Sequence, residues 1–126
     1  MYNVPQSRFY NSRLKFFINF FRRYAITLNL YFAKIFEKYK KNVLDIYSPQ
    51  SHRALKVANR LFTANKGIPE VSAIDWKLTV IEAPIINAAA FPSGDLIVFT
   101  GLLDFVENDD ELSIIMAHEM SHVRKF

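Results

Sequence analysis

An α+β fold is expected from three observations on this sequence. Apolar residues recur at helical spacing after Ser48-Pro49 and again from about Asp109, a period-two stretch lies between these runs, and Phe91-Pro92-Ser93-Gly94 links two extended segments by a tight turn. The expected arrangement is helices with a small sheet or hairpin placed before a helix that carries histidines.

At 126 residues the chain fits one domain, and 51% hydrophobic content is enough to bury a core. No cysteine is present, which excludes disulfides and cysteine-held zinc. The net charge of +4 is uneven, because Met1 to Phe36 carries Arg8, Arg13, Lys15, Arg22, Arg23 and Lys34 with no acid. Residues 1–47 are therefore separated as a basic, aromatic-rich arm from residues 48–126. A basic patch suits nucleic acid, yet no RNA- or DNA-binding motif follows it, so no nucleic-acid partner is expected.

Three readings of the arm stay open. Met1 to about Tyr24 is amphipathic, basic and free of acids, as a mitochondrial transit segment is. Phe16 to Phe36 is long enough to span a bilayer, but Arg22 and Arg23 fall inside it, so an interfacial helix or a short span fits better. The third reading is a helix packed on the domain behind it.

After the arm, Ser48 reads as a helix cap and Pro49 as a first helical residue, with Ala54, Val57, Ala58, Leu61 and Phe62 inward and Gly67 as a stop. His52, near the front of this helix, reads as a surface residue. Trp76 to Glu82 alternates apolar with polar residues and is expected to be a half-buried strand ended by Pro84. Ile85 to Phe91 and Leu96 to Thr100 are expected to pair as a β-hairpin across the Pro-Gly turn. Leu102 to Val106 reads as a short helical piece. Asn108 followed three residues later by Glu111 is a capping-box pattern, and Asp109, Asp110 and Glu111 suit the positive end of the helix it opens.

That helix carries His118-Glu119-Met120-Ser121-His122. Residues four apart lie one turn up on one face, so both imidazoles can converge on one ion, and the spacing is that of the H-E-x-x-H zinc pattern. In that chemistry two neutral histidines hold Zn²⁺ and the carboxylate beside the first acts on water as general base. His118 and His122 are thus candidate metal ligands and Glu119 the candidate catalytic residue. The bland alternative is a chance pair of histidines beside a solvated glutamate. Leu112, Ile115, Met116 and Val123 are expected to form one buried stripe, with Glu119 on it. After Glu119 there is no Asp, Glu or Cys, so a third ligand has to come from elsewhere.

From about Ala54 onward the order of motifs resembles zinc metalloendopeptidases that include the CAAX prenyl proteases and HtpX-like proteases. The resemblance is carried by Asn87-Ala88, Phe91-Pro92-Ser93-Gly94, Leu96 to Leu103, Asp110-Glu111-Leu112 and His118 to His122. Within that group, Ile68-Pro69, Ser72-Ala73, Asp75-Trp76, Pro84, Ile86-Asn87 and Val98-Phe99-Thr100-Gly101 are similar to the mitochondrial OMA-type peptidases. The resemblance implies a zincin-like fold, a Zn²⁺ cofactor and a role at the mitochondrial inner membrane in quality control of membrane-associated proteins. It also implies that Leu96 to Thr100 is an edge strand pairing with an extended peptide substrate. It implies further that the third ligand is a glutamate on a later helix, so that this chain is the N-terminal part of such a domain. The alternatives are a catalytically silent interaction piece, or a homo-oligomer in which another chain donates the ligand.

Overall fold

A computed structural model describes residue 27 and residues 29–123. The transit-segment reading, and residues 16–26 and 28 of the interfacial-helix reading, lie outside the described residues. Among the described residues no helix is long and apolar enough to cross a membrane.

Helix α1 covers 29–39 and is followed by a 3-10 turn, Lys40–Asn42. Then come α2 (Pro49–Ala64), α3 (Pro69–Ser72), β1 (Lys77–Ile81), β2 (Ala88–Ala90), β3 (Asp95–Phe99), α4 (Thr100–Phe105) and α5 (Asp109–Val123). The three strands form one sheet in the order β1-β3-β2, with β1 parallel and β2 antiparallel to β3. The α+β expectation and the β2–β3 hairpin are therefore both observed.

Burial explains the layering. Leu78, Val80, Ala88, Ala90, Leu96 and Val98 belong to the core that α2 and α5 cover with Ala54, Val57, Ala58, Leu112, Met116 and Met120. Ile81, Ala89, Phe91, Ile97 and Phe99 form the other cluster, which α1 covers with Phe32, Ile35 and Tyr39. Phe32 meets Phe91 with ring centroids 5.2 Å apart, and Tyr39 meets the Phe99 ring edge-on at 5.7 Å. The described part of the arm thus packs on the sheet, as the third reading of that region has it. Because β3 is covered on both faces, it reads Leu-Ile-Val-Phe without alternation, the pattern of a central strand.

Local chemistry sets the element ends. Ser48 is extended, its Oγ accepts the Ser51 N–H at 3.1 Å, and Pro49 fixes the first helical φ. The helix stops at Ala64, before the expected Gly67, where Asn65 caps it: its backbone N–H is shared between Leu61 O and Phe62 O, and its side chain also donates to Leu61 O at 2.8 Å. In the hairpin, Phe91 N donates to Asp95 O and Gly94 N to Phe91 O, which makes Pro92-Ser93-Gly94 a three-residue loop. Gly94 holds φ at 90°, and a Cβ there would lie 2.5 Å from Asp75 O. Thr100 begins α4, so the strand ends one residue earlier than the sequence suggests and Gly101 lies inside the helix.

Arg53 ties α2 to α4 and α5. Its Nε donates to Asp109 Oδ1 at 2.8 Å and its Nη1 to Leu103 O at 2.7 Å. The hydrogen bond from Arg53 holds the Asp109 carboxyl below its ordinary range, against the opposing effect of partial burial. A carboxyl lowered in the folded state stabilises above its unfolded value and ceases to do so as pH falls through its folded value. Urea unfolding of the wild type against Asp109→Asn is therefore expected to show a difference that shrinks below about pH 4. Both side chains are about a third exposed, which keeps the difference under about 1 kcal/mol. A difference that grew on acidification would contradict the sign.

Candidate metal centre on the last helix

The site begins with the cap of α5. Asn108 Oδ1 accepts the Glu111 N–H at 2.9 Å, and Glu111 Oε2 accepts the N–H of Glu107 at 2.8 Å. This is a capping box displaced by one residue, since the glutamate reaches past the cap to the residue before it. Asp109, Asp110 and Glu111 crowd the first turn, where the helix dipole favours negative charge. The register of everything downstream follows from this start.

Turning about 100° per residue, the helix buries Leu112, Met116, Met120 and Val123. Met120 belongs on this stripe, and Ile115 stands half-buried at its margin. Glu119 departs from expectation in the same way: it is half-buried at the edge of the stripe rather than within it. Seen from Met116, Met120 is turned by about 40° and Glu119 by about 60° the other way, so methionine fills the inward place.

Ala117, Met120 and Ser121 face the end of α2, lining a small cleft of about 90 Å³ with Leu61, Asn65 and Val71. Glu119, His118 and His122 therefore occupy the side of α5 turned away from α2. Both histidines are exposed. Their Nε2 atoms approach to 3.1 Å, with the rings nearly perpendicular at 88°. Two imidazoles in this arrangement either share one proton in a hydrogen bond or aim two lone pairs at one point. Tetrahedral zinc with Zn–N near 2.0–2.1 Å sets two ligand nitrogens about 3.3 Å apart, so the pair fits a shared ion with little movement. Among the described residues no group of three or more His, Cys, Asp or Glu side chains comes together. His52 is exposed on α2 and lies outside this arrangement.

The sheet corrects one expectation. Leu96 to Thr100 is not an edge strand: β3 is bonded to β1 on one side and to β2 on the other, and Thr100 is helical. The strand beside α5 at the margin of the sheet is β2. Phe91 N bonds Asp95 O and Phe99 N bonds Asn87 O, so the odd-numbered residues of this segment face β3. The backbone groups of Ala88 and Ala90 then point to the open side. Asn87 Oδ1 already accepts the Ala88 N–H at 2.8 Å, leaving the Ala88 carbonyl and both groups of Ala90 directed outward. The sequence held the signal for this, because a continuous apolar run marks β3 as covered on both faces while the short Ala-rich run suits a margin.

The chain was compared with known proteins. The model of Peptidase family M48 matches residues 49–125. The protein "Metalloendopeptidase OMA1, mitochondrial" of Homo sapiens is 35% identical over 86 residues, covering 68% of this chain and 16% of its own length. Its Danio rerio counterpart is 34% identical over 86 residues, covering 68% of this chain and 18% of its own. "Mitochondrial metalloendopeptidase OMA1" of Saccharomyces cerevisiae is 28% identical over 88 residues, with 62% and 26% covered. The chain thus spans less than a third of the length of these relatives. No solved structure matches the chain.

Proposed function

Because the chain belongs to peptidase family M48, we propose that it contributes to a zinc metalloendopeptidase of the OMA1 type, in which His118 and His122 hold the metal and Glu119 is the catalytic acid/base. The convergence of the two Nε2 atoms at 3.1 Å, with Glu119 on the same side of α5, carries this reading. When bound, zinc would supply Lewis acidity toward a peptide carbonyl. Glu119 takes a proton from the attacking water and delivers it to the departing amine, so water adds across the peptide bond and the carboxylate is regenerated. Its half-buried place at the edge of the buried stripe holds the carboxylate against the helix while leaving it within reach of water. The third ligand comes from outside the described residues.

The substrate is a protein segment held in extended form. The outward groups of Ala88 and Ala90 on β2 would pair with its backbone, giving affinity without dependence on side chains. The relatives' names carry the word mitochondrial, and the basic, acid-free arm suits entry to that organelle. Action at the inner membrane on membrane-associated proteins is the finer part of the proposal.

Zinc titration of the chain by calorimetry tests the metal centre. One ion per chain is expected, lost on His118→Ala or His122→Ala and retained on His52→Ala. Binding that survives both motif replacements, or that His52→Ala removes, would overturn the assignment.

A further inference from the structure

A broad depression of about 910 Å³ lies on the exposed face of α2 beside the first turn of α5. Asp109 borders it, nine residues before His118, which is roughly 14 Å along the helix axis. It is therefore a surface apart from the histidine pair. Its cations are unequal. Arg53 is committed to Asp109 and to the Leu103 carbonyl. Lys56 and Arg60, four residues apart and so on one side of α2, are both exposed and make no ion pair among the described residues. Their positive field reaches Asp109, whose single carboxylate cannot balance three cations. Next to Lys56, Leu55 is 41% exposed, an apolar contact at the rim of a charged surface.

We propose that this face of α2 is a docking surface for an acidic segment of a partner protein, with carboxylates paired to Lys56 and Arg60 and an apolar side chain seated on Leu55. Charge decides the class of occupant. A second copy of this chain carries the same cations and a net charge of +4, so its approach is repulsive. A single-stranded nucleic acid would want aromatic platforms for its bases, and no Phe, Tyr or Trp lines the depression. An anionic bilayer would engage the same cations, and it is separated from a peptide by the vesicle arm of the test below. The proposal does not depend on the peptidase reading.

Fluorescence anisotropy of a labelled peptide alternating Glu and Leu, added to the whole chain, tests it. Saturable binding is expected, weakening about tenfold or more as salt rises from about 50 to about 300 mM. Lys56→Glu with Arg60→Glu is expected to reduce affinity by about tenfold or more, with unchanged helical circular dichroism. Because the arm is also basic, Arg22→Glu with Arg23→Glu is the matched control and is expected to leave affinity within about twofold. The proposal is overturned if the arm variant lowers affinity by about tenfold or the α2 variant leaves it within about twofold. It is equally overturned if a Lys-for-Glu peptide binds as well. A third contrary result is that phosphatidylglycerol vesicles bind through Lys56 and Arg60 while the peptide does not bind.

Discussion

Glu119→Gln is expected to lower peptide hydrolysis by the zinc-loaded, complete site about 10²–10⁴-fold while leaving zinc titration unchanged. Glutamine keeps the length and planarity of the side chain, so the half-buried place between Ile115 and Val123 on α5 is refilled without a cavity. What it loses is the ability to take a proton at neutral pH, the one role assigned to Glu119. The imidazoles of His118 and His122 depend on the helix register, which the Asn108 and Glu111 cap fixes far from position 119. Hydrolysis of a quenched fluorescent peptide therefore separates the base from the ligands. Glu111→Gln on the same helix is the control, and its effect should be confined to stability. Turnover retained by Glu119→Gln would remove Glu119 from the mechanism and leave the histidine pair as a metal site of another kind.

The elements that the sequence reveals are those decided locally. Ser48 and Asn108 announce their helices because a cap is a contact over three residues, and the hairpin turn is legible because Pro92 and Gly94 each meet a backbone demand within it. His118 and His122 converge because helix geometry alone brings i and i+4 together. What the sequence leaves open is decided by distant partners. Parallel pairing of β1 with β3 joins residues about eighteen apart, as Lys77 with Asp95, and no local pattern states which strand receives β1. The resemblance places an edge strand at Leu96 to Thr100, whereas β3 lies between β1 and β2, and its lack of alternation contains that correction. Glu119 follows the same logic: its neighbours on the helix are fixed by periodicity, but its degree of burial depends on how far β2 and α2 reach around α5.

Gly101→Ala is expected to destabilise the fold strongly although it adds a single methyl group. An ideal Cβ at Gly101 would lie 2.5 Å from Ile85 O, 2.6 Å from Ile85 N and 2.7 Å from Ile85 C. All three are backbone atoms, so no side-chain rotation relieves the clash and the segment before β2 must move. That segment is held at several points. Gly101 N donates to Ala83 O at 3.0 Å, while Thr100 Oγ1 accepts the Ala83 N–H and donates to the Ala83 carbonyl. Overpacking costs about 1–3 kcal/mol, and each hydrogen bond lost adds about 1 kcal/mol. A total of about 3 kcal/mol or more is a large part of the roughly 5–15 kcal/mol that holds a domain folded. Gly67→Ala is the internal control, because nothing lies within 4 Å of a Cβ there and the change is expected to be neutral or slightly stabilising. Urea midpoints should therefore separate the two variants widely, and equal midpoints would refute the packing argument. The displaced segment leads directly through Asn87 into β2, whose outward carbonyl and amide groups are the proposed peptide rail. Where Gly101→Ala remains folded, peptide affinity should thus fall while zinc titration at His118 and His122 persists, since the helix bearing them is fixed independently by its own cap.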